Sequence, residues 1–228
     1  MSSSRRTALV TGANRGLGLA VSTLLHERGH CVVLAARDGA AAREAAERVG
    51  ERATGVALDV TDDASVKEAA ERVGPVDVLV NNAGILLDAG QPPSEVAVHA
   101  VEETLSVNLL GAWRVSQAFL PSMVRNGWGR VVMVSSGTGS FTNGLFVRTP
   151  AYAVSKAALN ALTVLLAQET GGSGVLVNAV NPGLVRTRMR PDAERLPQEA
   201  ATDIVWAATL PDGAQSGVFF RSGAVVGW

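Results

Sequence analysis

The chain has little of what most enzyme chemistries draw on. Its 228 residues include one cysteine, three histidines, one tyrosine and two lysines. A lone Cys31 excludes a disulfide framework and a thiolate metal site. It falls in an apolar run, where a buried packing thiol is expected. His26, His30 and His99 lie in no recognisable motif and no Gly-x-Ser-x-Gly turn occurs, which argues against a hydrolase. His26 and His30 flank the end of the first predicted helix and are expected in solvent. Charged residues make up 18% of the chain and its net charge is −1, so no electrostatic case exists for nucleic acid or an anionic membrane. No apolar run approaches a membrane span and no apolar targeting segment precedes the first strand, so a cytoplasmic protein is expected.

What is present is an alternation of short apolar strands with helical segments. Thr7–Thr11, Cys31–Ala36, Thr54–Leu58, Val76–Val80, Val131–Val134 and Val175–Val180 read as six strands, with Gly217–Phe220 as a seventh. Helical periodicity spans about Leu17 to Arg28, Ala40 to Val49, Asp63 to Val73 and Val98 to Met123. The pattern predicts an α/β fold: one domain over residues 1–228, flexible over 1–5, with a doubly wound parallel sheet of about seven strands and helices on both faces. Turn-rich stretches at 87–94, 137–150 and 186–197 each follow a predicted strand, so they gather at the carboxyl edge, where such sheets bind ligands.

The only tyrosine, Tyr152, stands four residues before one of the two lysines, Lys156. Positions i and i+4 share a helix face, so phenol and ammonium can reach one point in space. An adjacent ammonium would lower the phenol pKa and create a proton donor without histidine. From these two residues alone, a surface pair, or a half-buried tyrosine with a solvated lysine, is the more ordinary reading.

Between the first strand and the first helix lies Thr11-Gly12-Ala-Asn14-Arg15-Gly16-Leu17-Gly18. Gly12 allows a tight turn, Gly16 a close approach to a pyrophosphate, and Gly18 close helix–strand packing. The helix N-terminus that follows offers free N–H groups to phosphate. Further along come Leu58-Asp59-Val60, Asn81-Asn-Ala-Gly84, Asn108, Ser135-Ser136, Tyr152-x3-Lys156 and Asn181-Pro-Gly183. In order and spacing this set resembles the short-chain dehydrogenase/reductase family, from Arg6 to the C-terminal residues. The 181–187 segment and the 217–221 segment look most like carbonyl-reductase-like members.

The resemblance implies a Rossmann fold and NADP-dependent reduction of an aldehyde or ketone to an alcohol, with no metal. Tyr152 would be the general acid/base, with Lys156 lowering its pKa and binding the nicotinamide ribose. Ser136 would polarise the carbonyl oxygen, with Ser135 along the cofactor. Asn108 would hold a water linking Lys156 to solvent. Cofactor contact would fall to Gly12, Asn14, Arg15, Gly16, Leu17, Gly18, Arg37, Asp59, Val60, Asn82, Ala83, Gly84, Tyr152, Lys156, Pro182, Gly183, Val185 and Thr187. Ser136 precedes Tyr152 by 16 residues, more than in many members, and the surplus at 139–148 would shape the substrate mouth with Phe141, Leu145 and Phe146.

An acidic residue ending the second strand would favour NAD. This chain places Arg37 there, with Arg15 in the phosphate loop, and two guanidinium groups suit a 2′-phosphate. Asp38 would favour NAD if the register slipped by one residue. A non-catalytic dinucleotide sensor on the same fold is the alternative. The expected partner is a small carbonyl or alcohol substrate, and by analogy a homodimer or homotetramer. Leu159, Leu162 and Leu166 form a stripe that could serve that contact or cover the sheet.

Overall fold

Apolar β-branched runs form the strands and alanine-rich amphipathic segments the helices, as their propensities direct. The computed structural model describes residues 5–228; the expected flexible start at 1–5 falls mainly on residues 1–4, which lie outside the described residues. Eight strands form one sheet: β1 Thr7–Thr11, β2 Cys31–Ala36, β3 Ala53–Ala57, β4 Val78–Asn81, β5 Gly129–Val134, β6 Val175–Val180, β7 Phe219–Arg221 and β8 Ala224–Val226. Their order is β3-β2-β1-β4-β5-β6-β7-β8. All neighbours are parallel except β7 and β8. The eighth strand, an antiparallel edge turned back through Ser222 and Gly223, is not in the seven-strand expectation. A three-residue strand is too short to show periodicity.

Helices cover both faces. Helices α1 (Gly16–Glu27), α2 (Gly39–Val49) and α7 (Pro197–Ala208) pack on one side against Val10, Leu34, Val80 and Val132. Helices α3 (Asp63–Val73), α5 (Ala112–Arg125) and α6 (Pro150–Glu169) pack on the other against Leu9, Leu79, Val131 and Val177. Successive strand residues point to opposite faces, so each strand feeds both cores. Between β4 and α5 the chain passes through α4 (Val98–Leu105) and a π-helical turn at Ser106–Gly111.

Three sequence expectations need correction. Helix α6 is 20 residues long and apolar enough to cross a membrane by length and composition, although no apolar run looked long enough. Half of it is buried, with Leu159, Leu162 and Leu166 in the sheet-facing core. The stripe therefore covers the sheet, and the large hydrophobic side chains left exposed on that helix are Val154 and Leu165. Cys31 is half-buried instead of fully buried, because it opens β2 at the sheet's amino edge. His26 and His30 are half-buried too: His30 Nδ1 lies 3.2 Å from the Leu25 carbonyl, and burial pulls its pKa below the usual imidazole value.

Arg130 fastens the amino edge of the sheet. Its side chain is 1% exposed and donates to the carbonyls of Gly129 (2.8 Å), Gly174 (3.2 Å) and Leu210 (2.8 Å) and to Asp212 Oδ1 (2.6 Å). The Trp128 ring lies 4.2 Å from the Arg130 guanidinium and 3.3 Å from that of Arg6. Arg130→Ala strands buried carbonyls, each costing about 1–3 kcal/mol. We expect it to lower the urea midpoint sharply, while Asp212→Asn, whose side chain is 79% exposed, shifts it far less. Equal shifts would mean that the ion pair, not the carbonyl network, fastens this edge.

Candidate functional site

At the carboxyl edge, the loops after β1, β2, β3, β4, β5 and β6 line one cleft of about 550 Å³. One end is formed by Gly12, Asn14, Arg15, Gly16, Leu17, Gly18, Arg37, Asp59 and Val60. Asn82, Ala83 and Gly84 follow, and the other end holds Ser135, Ser136, Tyr152, Lys156, Pro182, Gly183, Val185 and Thr187. Among the sequence-derived site residues, only Asn108 is absent from the wall; it lies one layer behind, 1% exposed.

The phosphate-loop end is built from backbone. Gly16 has φ 55°, which a side chain disfavours, and a Cβ at Gly18 would meet the Gly12 carbonyl and Asn82 Nδ2. No side chain caps α1 and no acid sits in its first turn, so its N–H groups face the cleft uncompensated. Thr11 and Asn82 lock this loop to the β4 loop. Thr11 Oγ1 accepts from the N–H groups of Asn82 and Ala83, both at 3.0 Å, and Asn82 Nδ2 donates to the Thr11 carbonyl at 2.8 Å.

Charge at this end is divided. Arg15 and Arg37 are exposed on the cleft wall. Asp38 does not line the cleft: its Oδ1 caps α2, accepting from Ala40 N (2.8 Å) and Ala41 N (3.2 Å). Asp59 Oδ1 accepts from Thr61 N (2.9 Å) and Thr61 Oγ1 (2.7 Å), and these bonds, helped by Arg37, hold its carboxyl below the usual range. The cap of α3 is Asp62, so Asp59 shapes the turn before that helix.

At the opposite end, Ser135 and Ser136 separate clearly. Ser135 is 2% exposed and its Oγ donates to Asn160 Oδ1 at 2.6 Å. Ser136 is half-buried, and its Oγ accepts from Thr138 N (3.3 Å) and Thr138 Oγ1 (3.0 Å). Tyr152 lies on the first turn of α6. Burial pushes its phenol up to about 12, and a hydrogen bond with Ser136 pulls the other way. Lys156, 4% exposed, donates to the Val134 carbonyl at 2.7 Å, and burial brings its ammonium down to about 8. Its Nζ stands 5.5 Å from the Tyr152 ring centroid. The phenol is therefore held above its ordinary value, not below it: Lys156 donates to a carbonyl, and desolvation is the largest influence on both groups.

Asn108 sits within the π-helical turn. Its Oδ1 accepts from Ile85 N (2.8 Å), and its Nδ2 donates to the Ile85 carbonyl (2.9 Å) and to Ser155 Oγ (3.0 Å). Both amide protons are used, which leaves one lone pair of Oδ1 for a water. Of the three aromatic and aliphatic residues expected at the mouth, Phe146 lines the cleft; Phe141 and Leu145 are exposed outside it. The loop that holds them is tied to the residues after β8: Thr142 N and Oγ1 both donate to the Trp228 carbonyl at 2.8 Å, and Ser140 Oγ donates to Gly227 O at 3.0 Å.

Sequence reasoning missed Asp88. It is completely buried, and its Oδ2 accepts from Ala151 N at 2.6 Å and Tyr152 N at 3.4 Å, at the start of α6. Its partner lies more than 60 positions away, so no local spacing could announce it.

A family model for short chain dehydrogenases matches residues 6–197. The chain is 38% identical over 192 residues to the 3-oxoacyl-[acyl-carrier-protein] reductase FabG of Aquifex aeolicus, covering 81% of this chain and 75% of that protein. It is 37% identical over 210 residues to the 3-oxoacyl-[acyl-carrier-protein] reductase MabA of Mycobacterium bovis, covering 92% and 81%. Among solved structures it is similar to a 3-ketoacyl-(acyl-carrier-protein) reductase from Brucella melitensis complexed with NADH, with a TM-score of 0.87, 25% identity, and coverage of 95% and 96%.

Removing a helix cap typically costs about 0.5–2 kcal/mol. Asp88→Ala should lower the thermal midpoint accordingly, and Asp88→Asn, which keeps one acceptor oxygen, should recover part of the loss. An unchanged midpoint in both variants would show that α6 needs no cap from the β4 loop.

Proposed function

The chain belongs to the short-chain dehydrogenase/reductase family of oxidoreductases, which work with NAD(H) or NADP(H), and from that premise we propose that it reduces a ketone or aldehyde to an alcohol with NADPH. The observation behind this reading is one continuous cleft with an uncapped helix N-terminus at one end and Ser136, Tyr152 and Lys156 at the other. The dinucleotide, when bound, supplies the hydride.

The residues fit such a group. The free N–H groups of α1 and the backbone of Gly12, Asn14, Arg15, Gly16, Leu17 and Gly18 suit a diphosphate. Asp59, Val60, Asn82, Ala83 and Gly84 would flank the adenosine half; Pro182, Gly183, Val185 and Thr187 would flank the nicotinamide half. Preference for NADP is supported by Arg15 and Arg37 on the wall and by Asp38, whose carboxylate is occupied in capping α2.

In this reading the Ser136 hydroxyl donates to the carbonyl oxygen and stabilises the charge that develops there. Tyr152, protonated throughout the neutral range, delivers its proton to the same oxygen. Lys156 keeps a positive charge behind the phenol up to about pH 8. Asn108 braces Ile85 against α6, and its spare lone pair would take a water that resupplies the proton. Leu86, Phe146, Leu184 and Met189 at the cleft mouth favour an apolar substituent on the substrate. The finer likeness to carbonyl reductases rests on segments 181–187 and 217–221, whereas the relatives reported above are reductases of 3-oxoacyl groups. Both substrate types therefore belong in the first panel.

The test is oxidation of NADPH and of NADH by the purified protein with simple aldehydes, ketones, diketones and 3-oxoacyl thioesters. Tyr152→Phe should abolish turnover, and tight NADPH binding without turnover would point to a sensor instead. Losing a charge-assisted bond of about 1.5–3 kcal/mol, Arg37→Ala should raise KM for NADPH by about 10- to 100-fold and leave that for NADH nearly unchanged. Turnover that is faster with NADH in the unsubstituted protein would sink the NADP assignment.

The pH dependence has a definite sign. The cationic form of Lys156 exists below its pKa of about 8, so kcat/KM for reduction should decline above that pH. Alcohol oxidation needs the phenolate, so it should climb into the alkaline range. Lys156→Met, which removes the charge, should lower kcat/KM and abolish the step near pH 8. A reductive profile that stays level through pH 10 would show that the Lys156 charge is not used.

A further inference from the structure

We propose that Thr138 is a positioning residue that makes Ser136 a one-way hydrogen-bond donor toward the substrate oxygen; this rests on the role given to Ser136 above. A hydroxyl oxygen has two lone pairs and one proton. At Ser136 both lone pairs are engaged by the same residue, through Thr138 N at 3.3 Å and Thr138 Oγ1 at 3.0 Å. In that arrangement the capacity left to Ser136 is donation, and its remaining side opens on the cleft that Tyr152 also lines.

Two adjacent hydroxyls can share a proton in either sense while no third group intervenes. A carbonyl oxygen accepts only, so its arrival draws the Ser136 proton and leaves Thr138 donating behind it. Aligned bonds of this kind polarise one another, and the strengthening reaches Ser136 as charge grows on the substrate oxygen. The Thr138 hydroxyl is not needed to form the turn. Ser136 caps the short 3-10 turn Gly137–Gly139 through the Thr138 main-chain N–H, and the Thr138 carbonyl separately accepts from Phe146 N at 3.2 Å. Both main-chain contacts survive a change of side chain, so the hydroxyl can be removed without opening the loop. Thr138 also lines the cleft beside Ser136 and Phe146, and its β-branched side chain has few rotamers in which to wander.

The test uses Thr138→Val, which keeps the shape and loses the hydroxyl, and Thr138→Ser, which keeps the hydroxyl. Each is made in the full chain with Ser136 intact and with Ser136→Ala. Turnover is measured at saturating NADPH with ethyl 3-oxobutanoate and 1-phenylpropane-1,2-dione. A neutral hydrogen bond is worth about 0.5–1.5 kcal/mol, so Thr138→Val should lower kcat about three- to tenfold with KM nearly constant. Thr138→Ser should restore most of kcat, and Thr138→Val should cost little further once Ser136 is alanine. Equal losses in both backgrounds, no loss at all, or a Thr138→Ser variant as impaired as Thr138→Val would overturn the proposal.

A second measurement does not depend on turnover. Tyr152 is the only tyrosine, so phenolate absorbance after a rapid alkaline jump reports that residue alone. Ser136 lowers the phenol pKa, so a weaker donor should raise it: Thr138→Val should delay ionisation to higher pH, and only while Ser136 is present. An unchanged midpoint would count against the proposal even if neither ketone is reduced. If Tyr152→Phe and Ser136→Ala both retain full activity, the underlying reading of the site falls with it. If those two are impaired and Thr138→Val is not, only the role of Thr138 falls.

Discussion

Parallel pairing of the central strands is the constraint on which the site depends. Val10 of β1 pairs with Val80 of β4, Val80 with Val132 of β5, and Val132 with Asn178 of β6. Four chain segments are thereby brought to the same height and all leave the sheet at the same edge. Residues distant in sequence, such as Gly12, Asn82, Ser136 and Pro182, are thereby brought to one wall. The strands are buried on both faces, so a one-residue slip would move every Val and Leu into the wrong core. The hydrophobic pattern thus holds the cleft in register as firmly as it holds the sheet.

Polar links across the loops refine this placement. Thr11 and Asn82 join the loops of β1 and β4; Asp88 joins the β4 loop to α6; Asn108 joins the same loop to Ser155 of α6. Most of these links pair a side chain with main-chain groups that the loops and the start of α6 leave free, and a buried polar group left unpaired would cost more than such a bond gains. The start of α6 is consequently held from two directions. Tyr152, through its main-chain N–H on Asp88, and Lys156, through its bond to the Val134 carbonyl, are oriented together with that helix start.

The fold was legible in the sequence because its signals are local. Apolar runs, the glycines at 12, 16 and 18, and the pair Tyr152 and Lys156 each lie within a few residues of one another. Helix α7 and strand β8 were not read, the first because it follows a turn-rich stretch and the second because three residues show no period. Asp88 and Thr138 escaped for different reasons. Asp88 acts on main-chain N–H groups far along the chain, and main-chain partners leave no mark in a sequence. Thr138 stands between two glycines and reads as turn filling. The pKa effect was misjudged because spacing sets which side chains share a face but not whether water does. Only the structure shows that the Lys156 amine has the Val134 carbonyl as its acceptor.

That acceptor also explains why a lysine stands here in a chain whose other basic residues, apart from Lys67, are all arginines. A guanidinium presents five N–H donors in a fixed plane, and each buried donor needs an acceptor. Arg130 shows what that requires: three main-chain carbonyls and a carboxylate gathered around one side chain. At position 156 a single carbonyl bond is recorded, in a space already shared with Tyr152. A compact ammonium, with three donors on a flexible stem, can take one carbonyl and keep its remaining N–H groups for the cleft. It also sheds its proton far more readily than arginine when desolvated, so the charge beside the phenol becomes adjustable near neutral pH. Arginine is suited to fastening the amino edge of this sheet, and lysine to the chemistry at its carboxyl edge.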